Sequence, residues 1–577
     1  MNFPASPVLT LRLPAWRSSV IAGLVFICLA VLAMRALYLQ GLHNDFLRAK
    51  GDARYSRVIE ITPHRGMITD RQGEPLAIST PVESVWASPQ DVQINATQAQ
   101  RLAKLLDMPE RELNARLGET KREFVYIQRH LPPEQAAQVM ALNIPGIFLQ
   151  REYRRYYPAG DVMAHVIGFT DVDDNGQEGL ELAYQDWLSG KPGSRRVIKD
   201  RLGHIIEDVE SIKTPQEGHN LTLSIDRKIQ YLAYRELKEA VEAHKAKGGE
   251  IVVLDARTGE VLALANLPSY NPNNRLKLKP SSTRNRAITD IFEPGSTLKP
   301  FTIAAALDAG TVKPDTVIQT APGTLTIGPA TIRDAHIEGA LTVAQVIQKS
   351  SNVGAAKIAL ELPSETMWNQ FNRVGFGVPP HSGFPGEASG KVRPYHTWRP
   401  IEQATMSFGH GISVSLLQLA RAYTIFADGG ELKPLSFLKL GAPSAGRQAI
   451  SPLAAEEVRK MLELVVLPGG TAPRAQIAGY QVAGKTGTAH KLNPNGGYAA
   501  DRYIASFVGM APASAPRLIV AVMIDEPTGE YYGGQVAAPV FSKVMGGTLR
   551  MLSIPPDAPI NNIVIPPENA PEIKEVA

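Results

Sequence analysis

Three short stretches of this chain carry residue types at spacings that suit nucleophilic chemistry. In "FEPGSTLKPF", residues 292–301, Ser296 and Lys299 stand one helical turn apart. A serine hydroxyl is a poor nucleophile until a neighbouring base takes its proton. A lysine amine serves as that base when burial or nearby cations favour its neutral form. Pro294 and Gly295 break the chain ahead of Ser296, and "TLKPFTIAAALDAG" behind it has helical periodicity and a glycine stop. Pro300 falls near the first turn, where its missing N–H does little harm. Ser296 is therefore expected at a helix N-terminus, with Lys299 at i+3 on the same face. Unpaired N–H groups and the helix dipole at that end favour a developing oxyanion.

One Ser-x-x-Lys pair proves little, since about two arise by chance in a chain this long. A second copy exists, Ser436 and Lys439 in "KPLSFLKLG". It reads as an extended strand, on which residues three apart point to opposite faces, and is set aside. "IQKSSNVGAAKIALEL", residues 347–362, offers Ser350, Ser351 and Asn352 ahead of an apolar helix. Alone it reads as a helix N-cap, and Ser269 to Asn271 repeats the pattern in a proline-rich loop. "VAGKTGTAHK", residues 482–491, supplies Lys485, Thr486, Gly487 and Thr488; alone it reads as a strand end with a glycine turn. All three in this order, each on its expected element, are far less readily produced by chance than any one.

The 577 residues are too many for one compact core, so two or three domains are expected. A net charge of +4 on that length, without basic runs, gives no reason to propose nucleic acid as a partner. The single cysteine, Cys28, excludes an intrachain disulfide and a cysteine-based metal site. "SSVIAGLVFICLAVLAM", Ser18 to Met34, is uncharged, and "ALYLQ" extends it beyond Arg35. It is long for a signal peptide, and no small-x-small cleavage site follows. An uncleaved transmembrane anchor over 18–40 is expected, with residues 1–17 as a short cytoplasmic tail. Arg12 and Arg17 favour that orientation, while Arg35 and later basic residues weaken the asymmetry.

Residues 41–220 read as an irregular α+β region. "TDRQGEP" is expected as a hairpin turn with Gly73 at its permissive position, and 94–143 as short helices. From 220 the texture changes. Asp226 is expected to N-cap an amphipathic helix with Ile229, Leu232, Leu237 and Val241 on one side, stopped by Gly248–Gly249. "EIVVLDARTGEVLALAN" reads as two strands around Gly259, and "APRLIVAVMIDEP" as a buried strand with residues 504–512 as its partner. The expected architecture is multidomain α+β, with an antiparallel sheet flanked by helices. The proline-rich stretch 553–577 is expected as a flexible tail.

The three stretches together resemble the signature motifs of penicillin-recognising serine acyltransferases. "NRAITDIFEPGSTLKPF", "LTVAQVIQKSSNVG" and "GKTGTA" resemble the transpeptidase domain of class B penicillin-binding proteins. "RGMITDRQGEPLA", "YYPAGDVMAHVIGF" and "GQEGLELAYQDWLSGKPG" resemble that class's pedestal. The layout is most similar to the septal, division-type enzyme of Gram-negative bacteria, the penicillin-binding protein 3 type. His410 departs from the pattern, standing between two glycines where division enzymes usually carry tyrosine; a tolerated exchange of ring side chains is the simpler reading.

The resemblance implies a pedestal over 41–220, of the class B dimerisation type, and a transpeptidase domain over 221–552 with a serine β-lactamase-like fold. It implies that Ser296 attacks the penultimate D-Ala of a peptidoglycan stem peptide, with Lys299 as base. Ser350, alone or with Lys485, would relay a proton to the leaving amine; Asn352 would bind the substrate amide and orient Lys299. Lys485, Thr486 and Thr488, with Gly487 between, would receive the terminal carboxylate, and the Ser296 and Thr488 amides would form the oxyanion hole. Tyr503, Tyr531 and Tyr532 either wall the cleft or are core aromatics. No metal or organic cofactor is implied. Implied partners are stem peptides, β-lactams that acylate Ser296, and a multi-span lipid II polymerase with other divisome membrane proteins. The implied location is the bacterial inner membrane, single-pass, with the N-terminus in the cytoplasm and the catalytic domain in the periplasm. Alternatives are a D,D-carboxypeptidase or β-lactamase, separable by acyl-enzyme lifetime, and a non-catalytic β-lactam sensor or divisome scaffold, separable by Ser296→Ala complementation.

Overall fold

The computed structural model describes residues 15–42, 56–199, 205–276, 278–493 and 496–564. The chain forms two compact units that interleave in sequence: Met1–Pro63, Pro81–Glu152 and Lys191–Gln216 make one, and His64–Thr80, Tyr153–Gly190 and Glu217–Ala577 the other.

In the first unit, α1 (Ala15–Leu37) is followed by one π turn, Tyr38–Leu42. The stretch Trp16–Gln40 is long and apolar enough to cross a membrane, and Val20, Leu24, Ile27 and Leu32 along it are exposed. Most of the expected cytoplasmic tail, residues 1–14, lies outside the described residues. Helices Ala96–Leu105, Glu110–Leu117 and Pro133–Met140 gather around Leu102, Leu113, Ile127 and Ile144. A three-stranded antiparallel ribbon joins Ser56–Ile61, Gly193–Lys199 and Ile205–Lys213.

The second unit is built on a five-stranded antiparallel sheet: β1 (Gly248–Asp255), β2 (Val261–Leu267), β3 (Ala483–Leu492), β4 (Tyr498–Ala511) and β5 (Leu518–Asp525), in the order β2-β1-β5-β4-β3. All of β2, and β1 up to Leu254, is buried on both faces, so helices must cover the sheet on both sides. The helices that matter for the site are α2 (Arg227–Ala243), α3 (Lys299–Asp308), α4 (Val343–Lys349), α5 (Asn352–Leu360), α6 (Leu416–Ala422) and α7 (Ala538–Met551). Helices α2 and α7 pack on each other and on the sheet, and α6 packs on β1 and β5.

Asp226 caps α2 as expected, its Oδ1 accepting the N–H of Lys228 and Ile229 at 2.9 and 3.2 Å. The helix does not run to Gly248. It ends at Ala243, Lys245 turns left-handed at φ 45°, and the Ala246 N–H closes the end on the Val241 carbonyl at 2.9 Å. Gly248 and Gly249 instead open β1. A Cβ on Gly249 would lie 2.9 Å from Val241 Cγ2, so glycine is what lets helix and strand pack this closely. The "TDRQGEP" turn is present, with Ile68 opposite Ala77, Gly73 at φ 92°, and Asp70 Oδ1 accepting the Gln72 and Glu74 amides.

The segment expected as a flexible tail from 553 is held as far as Val564. Asp557 accepts the Gln481 N–H at 2.7 Å, and Asn562 Nδ2 donates to the carbonyls of Ile477 and Tyr480 at 3.2 and 2.9 Å. Specific side-chain bonds hold what composition alone reads as loose; residues 565–577 lie outside the described residues.

Candidate active site

Ser296 sits in a single 3₁₀ turn, Gly295–Leu298, that runs directly into α3. Gly295 is left-handed at φ 57°, which turns the chain sharply ahead of the serine. Pro300 occupies the first turn of α3, where no intrahelical N–H is missed. Ser350 is the left-handed residue between α4 and α5, at φ 59°. That conformation is strained for a residue with a Cβ. It reverses the chain so that Ser351, not Ser350 or Asn352, is the N-cap of α5, its Oγ accepting the Gly354 N–H at 2.9 Å. Lys485 to Thr488 lie on β3, at the edge of the sheet and paired only with β4 in the sheet order.

These elements join four of the predicted residues in one run of contacts, Ser296 to Lys299 to Ser350 to Lys485. Lys299 Nζ donates to Ser296 Oγ at 2.9 Å, and to the Ser350 carbonyl and hydroxyl at 2.5 and 3.1 Å. Lys485 Nζ reaches the same Ser350 hydroxyl at 2.8 Å. Both lysine side chains are fully buried, with 0% exposure, and Ser296 keeps 5%. The two amines therefore meet on one hydroxyl in a site largely shut off from water, where electrostatic interactions are strong.

Thr486 Oγ1 lies 3.1 Å from Lys485 Nζ and 2.7 Å from Thr471 Oγ1. Thr488 Oγ1 accepts the Gly533 N–H at 3.1 Å. Gly487 has a plain steric reason: a Cβ there would lie 2.4 Å from Ser506 Oγ and 2.9 Å from the Pro294 carbonyl oxygen, so only glycine lets β3 approach the turn bearing Ser296. Asn352 bonds outward in this structure, its N–H to Asp334 and its Nδ2 to the Arg333 carbonyl at 3.3 Å.

Asp334 is a residue that sequence reasoning missed. Its carboxylate accepts the Ser351 hydroxyl at 2.6 Å and the amides of Asn352 and Val353 at 2.5 and 3.0 Å. It holds the start of α5, and with it the strained Ser350. The charge also suits a helix N-terminus. Nothing in its short-range sequence marks it, because its partners lie 17 to 19 residues away.

The second Ser-x-x-Lys copy comes apart, as expected: Ser436 Oγ donates to the Leu438 carbonyl, while Lys439 Nζ reaches the Arg71 carbonyl. Tyr503 stacks on Tyr531 at 4.1 Å and 13°, Tyr531 meets Tyr532 at 4.4 Å, and His490 joins the row at 4.6 Å from Tyr503. All three tyrosines are half-buried, so this row is a surface feature and not core packing. The His410 ring packs on Phe408 and Tyr498 at 5.2 and 5.7 Å. Burial first, then the positive fields of Lys299 and His490, push its pKa down to about 4, so it is neutral at ordinary pH.

A model of the penicillin-binding protein transpeptidase domain matches residues 249–546, and one of the penicillin-binding protein dimerisation domain matches 60–223. The chain is 46% identical over 549 residues to a Neisseria gonorrhoeae protein named "Probable peptidoglycan D,D-transpeptidase PenA", covering 94% of each chain. It is 45% identical over 551 residues to the peptidoglycan D,D-transpeptidase FtsI of Escherichia coli, covering 94% of this chain and 93% of that one. The solved transpeptidase domain of Burkholderia pseudomallei penicillin-binding protein 3 superimposes with a TM-score of 0.54 at 51% identity, covering 58% of this chain and 98% of that one. With both family models on one chain, and full-length relatives of that description, the chain belongs to the class B penicillin-binding proteins of the peptidoglycan D,D-transpeptidase type.

Proposed function

We propose that this enzyme cross-links peptidoglycan stem peptides at the division septum through an acyl group carried on Ser296. The observation that supports this most is the Lys299 amine 2.9 Å from the Ser296 hydroxyl, with Ser350 linking it to Lys485. Burial of both amines, and their sharing of one hydroxyl, favours the state in which one of them is neutral. Neutral Lys299 takes the Ser296 proton as Oγ bonds to the carbonyl carbon of the penultimate D-Ala. The negative charge that develops on the carbonyl oxygen is met by the backbone N–H groups of Ser296 and Thr488. The C–N bond then breaks. The terminal D-Ala leaves as an amine with a proton passed through Ser350, either from Lys299 or from Lys485. An amino group of a second stem peptide attacks the ester, gives up a proton along the same route, and frees Ser296.

Substrate placement follows from the same elements. An edge strand offers backbone groups to an extended peptide, and β3 is such a strand. Lys485, Thr486 and Thr488 suit the terminal carboxylate, and Asn352 suits the substrate amide and the orientation of Lys299. β-Lactams enter as mimics of the D-Ala-D-Ala end and leave Ser296 acylated. The anchor over 18–40 would cross the bacterial inner membrane once, with the N-terminus in the cytoplasm. The pedestal over 41–220 and the transpeptidase domain over 221–552 would stand in the periplasm, and anchor and pedestal together would meet a multi-span lipid II polymerase of the divisome.

The test is intact-mass measurement of the full chain with benzylpenicillin, followed by peptide mapping. One penicillin mass per chain, mapped to Ser296 and absent from Ser296→Ala, is the expected result. A label that survives in Ser296→Ala overturns the assignment.

A further inference from the structure

Glu293 stands three residues ahead of Ser296 and is buried, with 7% exposure. One carboxyl oxygen accepts the Gly411 N–H at 2.8 Å. Tyr498, at the start of β4, interacts with the same carboxyl through its phenol. The second oxygen, Oε2, is buried and has no hydrogen-bond partner among the described residues. A buried carboxyl so sparsely satisfied is costly and calls for a reason. None of the steps above uses it.

We infer that Glu293 is a positioning residue for Ser296, its carboxyl tying the 409–411 loop and the start of β4 to the turn that presents the nucleophile. This inference rests on the assignment of Ser296 proposed above. The loop grips that turn from two sides. Gly411 holds Glu293 through its amide, and Gly409 packs so closely on Gly295 that a Cβ would lie 2.2 Å from the Gly295 carbonyl oxygen. Between those glycines, His410 lays its ring against Tyr498, so the residue that contacts the carboxyl from β4 also contacts the loop. On the other side of the turn β3 closes in, with Gly487 against Pro294. Three chain segments distant in sequence thus converge on residues 293–295, and Ser296 is the next residue. Burial raises the Glu293 pKa, and the bonds from Gly411 and Tyr498 oppose that rise. A neutral carboxyl in this place can accept the Gly411 N–H through one oxygen as a glutamine would.

The experiment measures acylation of the full chain in detergent by a fluorescent penicillin, separating reversible binding from the covalent step. Rates are scaled to the folded fraction from thermal unfolding. Glu293→Ala is expected to slow the covalent step by about 100-fold with little change in the binding constant, the scale expected when a reacting group is displaced by about 1 Å. Glu293→Gln, which keeps an acceptor for Gly411, should stay within about threefold of the parent. Tyr498→Phe should slow the step by about fivefold, and the double variant Glu293→Ala/Tyr498→Phe should be no slower than Glu293→Ala alone, because both act through one contact. A wild-type covalent rate in Glu293→Ala, or multiplicative effects in the double variant, overturns the inference. If Glu293→Ala does not fold, a wild-type rate in Tyr498→Phe overturns it equally. Ser296→Ala is run alongside: labelling there removes the nucleophile assignment itself, whereas its absence with unaffected Glu293 variants removes only the positioning role.

Discussion

Glu181 stands between two guanidiniums, and Ser350 stands between two amines. Both clusters are buried in the same folded unit, and both draw on motifs that the sequence flags. Arg65, from "RGMITDRQGEPLA", donates through Nε to Glu181 Oε2 at 2.8 Å, and Arg155 donates through Nε to Oε1 at 2.7 Å. Arg155 also holds Ser79 Oγ at 3.0 Å and the Gly66 carbonyl at 2.8 Å, and Arg65 holds the Asp174 carbonyl at 3.0 Å. Each charge there meets an opposite charge or a fixed dipole, which is the condition under which a buried ionic cluster persists. At Ser350 the group between the two amines is a neutral hydroxyl. The first cluster settles its charge with a counter-ion; in the function proposed above the second settles it by giving up a proton from one amine. A site that balances charge through protons can exchange them during a reaction, and one that balances it through a fixed carboxylate cannot.

Removing a member from each cluster separates the two roles. Lys299→Ala should slow acylation of Ser296 by about 1,000-fold, the range for loss of a positioned base. Thermal stability should hold or rise, because a costly buried amine is gone. Stopped-flow acylation and thermal unfolding on the same sample read both quantities; a rate within tenfold of the parent would remove Lys299 as the base. Glu181→Ala should do the reverse. It leaves two buried guanidiniums uncompensated and should lower unfolding stability by about 3–5 kcal/mol, with the acylation rate per folded molecule unchanged. Urea unfolding followed by active-site titration checks this, and a selective loss of rate at full stability would contradict the structural role.

The contrast also explains what the sequence made legible. The sheet, the caps and the hairpin rest on local rules, periodicity and turn chemistry, and these were readable at Asp226, Gly73 and Gly259. The three candidate stretches were readable because each is short and local in sequence. Their meeting on Ser350 Oγ joins Lys299 and Lys485, which lie 51 and 135 positions from it. Gly248–Gly249 misled because a glycine pair after a helix pattern reads as a stop, whereas Lys245 had already closed α2 and the glycines serve close packing. Asp334 and Glu293 were illegible for a common reason. A carboxylate acting on a backbone amide far along the chain leaves no periodic trace.

Asp334 lies between the two extremes, being a fixed charge that serves the proton site. Asp334→Ala removes its bonds to Ser351, Asn352 and Val353 at the head of α5. Loss of a helix cap should lower stability by about 1–2 kcal/mol, and loosening Ser350 should slow acylation by about tenfold. Asp334→Asn keeps an acceptor and should recover most of the stability. If acylation stays at the parent rate while stability falls, the carboxylate serves the fold alone.

Glu250 extends the comparison to a buried carboxyl that is kept neutral by its own proton. It lies in β1 with its Oε2 unpartnered among the described residues. Burial first, then the negative fields of Asp290 and Asp525, push its pKa up to about 8 from an ordinary value of 4.5. A carboxyl raised in this way keeps its proton in the folded state over a range where the unfolded chain has lost it. Its contribution to stability is therefore full below 4.5 and is lost as pH climbs toward about 8. Across that window the parent should lose about 1.4 kcal/mol of stability per pH unit from this group. Glu250→Gln has no proton to lose, so its stability relative to the parent should grow by the same increment with each unit. Unfolding curves collected across the window read this slope directly, and parallel curves for parent and variant would show that Glu250 ionises in the fold as it does in water. A matching slope would show that this core keeps Glu250 neutral by leaving its proton in place, and neutrality by proton balance is what the proposed role of Lys299 asks of a buried amine.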